Sequence, residues 1–331
     1  MTAMDTSESR AGKSRVGFLR STPARVAKVA ILIAILIFVP PLIDNPYIIR
    51  IFISAVMLGV MAAIYDLMIG YAGLVNFGYA GFIAVGAYTS ALGEFHYGIS
   101  PWLGLLTGGI LAAFVGFLVG VITLRLRGLY VALMTFFVGE AIRFSISNTP
   151  DFTRGMLGLS VAPYPDVLGI DFERSNLYAY YYLLLVLTAA IMGFMWWLVK
   201  SRYGLAFEAL REDQLATQSL GLNTTKYKLY NFTIASFLAG VMGAFYAHYL
   251  GILSPSPEEF GVYRTVEILS ITYIGGRGTL WGSLFSGFLL IGFQEYFRGL
   301  GPWRLVIFGA LLVFVMLFAR RGLAGLKKYL W

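Results

Sequence analysis

Glu140 and Arg143 stand three residues apart in LMTFFVGEAIRF, an otherwise apolar run. That spacing puts both side chains on one face of a helix, where they can pair. Ionisable residues inside apolar segments are costly and often functional. Glu140 is therefore the leading candidate for a buried charge, either along a solute route or in a packing ion pair with Arg143. Glu267 lies in a second short apolar stretch. Asp66 and Glu295 fall near the ends of apolar segments, where snorkelling or interface placement is the simpler account. Cysteine is absent, which removes disulfides, thiolate catalysis and cysteine-held metals. His96 and His248 are far apart and have no ligand cluster around them, so each is expected to cap or pack near an interface. The sequence offers no nucleophile with a base and an orienting group, and no G-x-x-x-x-G-K-[ST] loop for nucleotide. No catalytic residue, metal site or cofactor of the chain's own is expected.

The elements carrying these residues are dictated by composition. Hydrophobic residues make up 58% of 331 and charged residues 13%, with a mean hydropathy of +0.75. A soluble domain carries about 25% charge, so this chain belongs in lipid. A bilayer-spanning helix takes about 20 apolar residues, and there is room for about ten. The net charge of +8 reads as the Lys/Arg excess of cytoplasmic loops rather than as a nucleic-acid surface.

The expected fold is all-α, a polytopic helical bundle. A basic cytoplasmic tail (1–27) precedes a transmembrane domain (28–320), and a basic cytoplasmic tail (321–331) ends it. Val29–Val39 is read as an uncleaved first span, since Pro40 and Pro41 follow it rather than a small-residue cleavage site. Further spans are expected near 47–66, 71–92, 101–124, 129–147, 177–199, 229–250, 263–275, 279–297 and 303–319. With the head inside, Arg125, Arg127, Lys200 to Lys228, Arg277 and Arg320 to Lys328 all fall inside. Asp44, Glu94, Asp151, Asp166, Asp171, Glu173, Glu258 and Glu259 fall outside. This satisfies the positive-inside rule except at Arg154, Arg174, Arg298 and Arg304. Both termini are thus cytoplasmic, the loop 200–228 is cytoplasmic and the loop 148–176 periplasmic. Gly104 with Gly108, Gly116 with Gly120, and Ser283 with Gly287 have the spacing that lets backbones approach closely in lipid.

The stretch GYAGLVNFGYAGFIAVGAYTSAL (70–92) is glycine-rich and uncharged. Glycine is poor in helix interiors, and broken segments at membrane depth are tolerated where they are buried or line a cavity. In transporters they point to the substrate path. Asn76, Gly78, Tyr79, Gly81, Tyr88 and Thr89 are accordingly candidates for a path lining, together with Glu140; close packing of the glycines is the alternative. GGRGTLWGSLFSGFLLIGFQEY (275–296) has similar glycine spacing and hints at an internal repeat of 47–147 in 229–319.

In KSRYGLAFEALREDQLATQSLGLNTTKYKLYNF (200–232), Leu205, Phe207, Ala209, Leu210, Leu215, Ala216 and Leu220 recur at helical spacing. The pattern predicts one amphipathic helix from Leu205 to Leu220, ended by Gly221 at C′. Its polar face carries Glu208, Arg211, Glu212 and Asp213, too acidic for an anionic lipid surface, so a protein partner is expected.

The segment F-E-A-L-R-E-D-Q-L-A-T-Q-S-L-G-L-N (207–223) resembles the cytoplasmic loop by which permeases of ATP-driven (ABC) importers dock on their ATPase. Gly73-Leu74-Val75-Asn76-Phe77-Gly78-Tyr79-Ala80-Gly81-Phe82 through Gly86-Ala87-Tyr88 resembles a signature of the high-affinity branched-chain amino-acid permeases, the LivM/LivH type. I-G-G-R-G-T-L-W-G (274–282) and G-E-A-I-R (139–143) are similar to further runs of that family. In order, the motifs span 50 to 320, and the head and the long loop before the sixth span lean to the LivM type. Tyr79 stands where histidine is frequent, and Arg277 where smaller or apolar residues are usual. The resemblance implies an inner-membrane permease subunit with no ATP or magnesium site of its own. It further implies a second, LivH-like permease, two ATP-binding subunits and a periplasmic binding protein, and a docking role for Glu208, Ala209, Leu210, Arg211, Leu220 and Gly221. Family members carry leucine, isoleucine and valine, and relatives carry other amino acids, urea, amides or aromatic acids. The competing class is a self-sufficient carrier or channel, which would need ion-coupling carboxylates such as Glu140 and Glu267 and no docking helix.

Overall fold

The structure, a computed structural model, describes residues 45–123, 126, 129–167, 169–301, 303, 306–310 and 313. The tail 1–27, the span Val29–Val39, Asp44, Arg125, Arg127, Arg304 and the tail 321–331 lie outside the described residues. Of the last expected span, 303, 306–310 and 313 are described, all helical. The chain divides after Ile49. Of the first unit only 45–49 are described, where the Asn45 side chain accepts the Tyr47 N–H at 3.0 Å and opens the first helix.

That helix, α1 (Pro46–Asp66), runs into a π-helical turn, Leu67–Tyr71. There follow α2 (Tyr79–Tyr97), α3 (Pro101–Thr123), α4 (Leu129–Ser147) and the short α5 (Pro150–Thr153). Leu159–Ser160 (β1) pairs antiparallel with Ile252–Leu253 (β2), a two-residue ribbon between loops. The rest is helical: α6 (Leu177–Lys200), α7 (Arg202–Glu212), α8 (Gln214–Ser219), α9 (Thr224–Leu250), α10 (Pro257–Phe260), α11 (Val262–Gly275) and α12 (Leu280–Tyr296). The architecture is an all-α, polytopic membrane bundle. Five of the described helices are long and apolar enough to cross a membrane: α1 with its π turn, α3, α4, α6 and α9. The helices α11 and α12, with 14 and 17 residues, fall short of a full span.

Glycine decides how the middle of the bundle packs. A Cβ on Gly86 of α2 would lie 2.1 Å from the Gly240 carbonyl of α9, and one on Gly243 of α9 would lie 2.1 Å from the Ile83 carbonyl of α2. The helix α3 joins at Gly108, 2.7 Å by the same measure from the Gly86 carbonyl, and at Gly116, against Ser236. At Gly86, Gly108 and Gly243 backbone therefore meets backbone, while Gly116 and Gly240 face the small side chains of Ser236 and Ala112, as expected in lipid. On the other side, Gly59 of α1 abuts Leu284 and Gly287 of α12 abuts Ala55. The hydroxyl of Thr272 in α11 donates to Ala62 of α1 at 3.0 Å. Gly104, Gly108, Gly116 and Gly287, read from spacing, are thus contact points.

Three boundaries differ from the sequence expectation. The span expected at 71–92 is not one helix: 72–78 is non-helical and α2 begins at Tyr79. Gly73 takes φ +68°, and the Asn76 side chain accepts the Gly78 N–H at 2.9 Å, a local turn that competes with helix. The helix α9 starts at Thr224 instead of near 229 because Asn223 caps it, accepting the Lys226 N–H at 3.0 Å. The cytoplasmic helix expected over 205–220 is two helices. Asp213 is extended and caps α8 by accepting the N–H groups of Leu215 (2.8 Å) and Ala216 (3.1 Å).

Candidate functional site

Around the glycine-rich segment, the residues expected along a path separate into two groups. Asn76, Gly78, Tyr79 and Gly81 are buried inside the bundle. A Cβ on Gly78 would sit 1.9 Å from the Thr135 carbonyl, and one on Gly81 would sit 2.9 Å from Gly139 Cα; both glycines exist to let α4 come close. The N–H groups freed at the break are taken by threonines of neighbouring helices: Phe77 donates to Thr135 Oγ1 (3.2 Å) and Ala80 to Thr265 Oγ1 (3.1 Å). Tyr65 donates to the Asn76 carbonyl at 3.2 Å and meets Tyr79 edge-on at 5.1 Å. Tyr79 in turn donates to the Met61 carbonyl at 3.2 Å. These four residues hold the broken segment together: each is buried in this chain and engaged with a neighbouring helix or the segment's own turn.

Tyr88 and Thr89 are different. They line a cleft of about 650 Å³ between α2, α3 and α4, with Val138, Ile142, Ser145 and Phe152 on the far wall. Glu140 does not line it. Its carboxylate pairs with Arg143 at 2.7 Å and accepts the Val262 N–H at 3.2 Å. Arg143 also donates to the Pro255 carbonyl at 3.3 Å. The pair thus pins α4 to both ends of the turn that carries α10. On the far side of that turn Arg264 pairs with Glu267 at 2.8 Å, and Gln294 donates to Glu267 at 3.0 Å, joining α11 to α12. Glu140 and Glu267, the two carboxylates named for ion coupling, are both engaged in ion pairs. In α10, burial pushes the Glu259 carboxyl above its ordinary range, opposed by the Arg264 guanidinium.

The histidines are structural. His248 is fully buried, with Nδ1 2.7 Å from the Ala162 carbonyl and Nε2 2.7 Å from Ser90 Oγ. The carbonyl can only accept, so Nδ1 carries the proton. His96 lies flat against Phe152 at 4.8 Å. Among the described residues no group of His, Asp and Glu could hold a metal ion.

In the polar loop between α6 and α9, α7 and α8 form a small platform. Ser201 caps α7, accepting the Tyr203 N–H at 3.2 Å. Gly221, φ +82°, closes α8: Gly221 N–H donates to Gln218 O at 2.9 Å and Leu222 N–H to Thr217 O at 3.3 Å, the paired bonds of a left-handed helix stop. The apolar residues do not share one face. Gly204, Ala206, Phe207 and Leu210 are buried against the chain's own bundle, Ala209 is half-buried, and Leu205, Leu215 and Leu220 are exposed at 68%, 63% and 82%. Leu210, expected in the docking set, is buried in this chain and anchors the platform. Glu208 stays exposed.

Arg211 turns inward. Its Nη1 donates to the Gly70 carbonyl in the π turn at 2.6 Å, and its Nη2 pairs with Glu212 at 2.7 Å. Beside it Asp66 is fully buried rather than snorkelling, and its Oδ1 accepts the Gly278 N–H at 2.8 Å. Asn231 donates to the Leu67 carbonyl at 2.8 Å. Sequence reasoning missed this assembly. The one available hint was an aspartate four residues before a glycine: a Cβ on Gly70 would fall 2.0 Å from Asp66 Oδ1 and 2.3 Å from the Gly278 nitrogen.

Residues 47–318 match the family described as branched-chain amino acid transport system, permease component. The chain is 33% identical over 287 residues to a protein of Salmonella typhimurium named high-affinity branched-chain amino acid transport system permease protein LivM. It is 34% identical over 284 residues to the Escherichia coli protein of that name. Each alignment covers 80% of this chain and 66% of the relative, so the chain spans just under two thirds of their length. It is also 21% identical over 309 residues, 89% of this chain and 85% of the relative, to the Rhizobium meliloti fructose import permease protein FrcC. No solved structure matches. With the motif order, the helical bundle and the match over 47–318 in agreement, the chain belongs to the branched-chain amino acid transport permease family.

Proposed function

We propose that this chain is a transmembrane permease subunit of an ATP-driven importer in the bacterial inner membrane, carrying amino acids and most directly the branched-chain ones. The platform α7–α8 carries this reading. Three leucines, Leu205, Leu215 and Leu220, stand exposed beside Glu208 and Glu212 on a polar loop, while Phe207 and Leu210 hold the platform to the bundle. A secondary carrier has no use for an apolar, acid-rimmed surface there, whereas an ATPase groove takes such a helix. The LivM relatives are named as permeases of branched-chain amino-acid systems, which supports the substrate class. A fructose import permease is also among the relatives, at 21% identity, so the substrate class is argued from the LivM relatives, at 33% and 34%.

ATP and magnesium are held by two partner ATPase subunits, a LivH-like permease completes the membrane part, and a periplasmic binding protein delivers the solute. We assign the route to the outer end of α2, where Tyr88 and Thr89 face the cleft. Proteoliposomes holding the full complex test the reading. Leucine uptake that needs both ATP and loaded binding protein is expected; uptake driven by an ion gradient without the ATPases would contradict it.

A further inference from the structure

A π turn widens the helix and frees backbone carbonyls, and such turns concentrate at functional sites. In the turn Leu67–Tyr71 each of three carbonyls is taken by a different element. Met68 O accepts Leu74 N–H at 2.9 Å, Leu67 O accepts Asn231 of α9 at 2.8 Å, and Gly70 O accepts Arg211 of α7 at 2.6 Å. Of these partners only Arg211 comes from the platform. Its side chain threads between two left-handed glycines: a Cβ on Gly73 (φ +68°) would lie 3.4 Å from Arg211 Cγ, and one on Gly278 (φ +77°) 3.1 Å from Arg211 Nη1. Gly73 stands in the first broken segment, 72–78, and Gly278 in the second, the link between α11 and α12. Asp66 ties the two breaks from the other side by accepting the Gly278 N–H. One arginine of the platform therefore lies against both places where the membrane helices are interrupted, its stem beside Gly73 and its guanidinium beside Gly278.

We propose that Arg211 is the positioning residue through which the ATPase-facing platform sets the π turn and, with it, the two glycine breaks. This rests on the docking role proposed above for α7–α8. Hinges absorb backbone change at a few element ends, and a turn with freed carbonyls and flanking left-handed glycines is such a place. When a partner shifts α7, the Arg211–Gly70 bond carries the shift into α1 and the 72–78 link; without it the platform moves alone.

The test uses the complete reconstituted complex with Arg211→Gln and Arg211→Lys. Wild-type complex is expected to show different amide exchange at residues 67–74 in its nucleotide-free and ATP-bound states. Arg211→Gln should still co-purify with the ATPases, should lose that difference, and should lower stimulation of ATP hydrolysis by loaded binding protein by about tenfold, within the range of ordinary coupling effects. Arg211→Lys, which keeps the positive charge and a long reach but not the planar fork, should fall between. Undiminished stimulation in Arg211→Gln would overturn the proposal while leaving the docking role intact. Lost co-purification would also overturn it, making Arg211 a docking residue. A wild-type chain that recruits no ATPase would instead remove the functional reading itself.

Discussion

Gly86→Ala is expected to abolish accumulation of folded permease, whereas Gly193→Ala is expected to be stabilising by about 1 kcal/mol. The two substitutions add the same methyl group to helix interiors. At Gly86 that carbon would lie 2.1 Å from the Gly240 carbonyl, with Gly240 Cα at 2.4 Å, so α2 and α9 would have to separate along their contact. Overpacking against side chains costs about 1–3 kcal/mol; here the obstruction is backbone, and the loss should exceed that range. At Gly193 in α6 nothing lies within 4 Å, so only the helix propensity changes. Thermal unfolding in detergent micelles and the yield of monodisperse protein measure both. Gly78→Leu belongs with Gly86→Ala, since it drives into the Thr135 carbonyl. A Gly78→Leu variant that is folded but fails to transport would restore the path-lining role for that glycine.

The second large effect concerns Glu140 and Arg143. Glu140→Gln should destabilise by about 3–5 kcal/mol, because it strands a guanidinium in a nearly dry site. The Arg143 side chain is 10% exposed and keeps the Pro255 carbonyl and the face of the Phe144 ring, 4.4 Å away, once the carboxylate is gone. Glu140→Gln with Arg143→Met removes both charges and should cost less than Glu140→Gln alone. Urea or thermal unfolding of the four members of the cycle gives the answer. Equal losses in the single and double variants would mean that the pair contributes nothing beyond its separate contacts.

What could be read in advance follows from how local each signal is. The Glu140–Arg143 pair and the Gly221 helix stop depend on neighbours three to five residues apart, and both were legible. Composition, charge asymmetry and small-residue spacing likewise announced a tightly packed membrane bundle. The break at Asp213 was also local, but the helical periodicity of Leu205–Leu220 masked it, and a short side chain able to cap the next turn won over continued helix. The burial of Asp66 and the inward course of Arg211 were not legible. Each depends on a partner far along the chain, Gly278 for one and Gly70 for the other. The close packing at Gly78 and Gly81 was hidden for a similar reason. Glycine spacing marks close approach, but whether the approaching body is another helix or a solute is decided by tertiary packing, and for Gly78 and Gly81 it is α4.

The chain has no cysteine, so single-cysteine variants report one position each. The most direct test of the account is cross-linking from Leu215→Cys and Leu220→Cys on the platform to the ATPase in membranes. Tyr97→Cys, at the exposed far end of α2, is the comparison. The account predicts an adduct with the ATPase from both platform positions and none from Tyr97→Cys. Absence of any ATPase adduct from the platform, in a complex that still couples ATP hydrolysis to uptake, would contradict it.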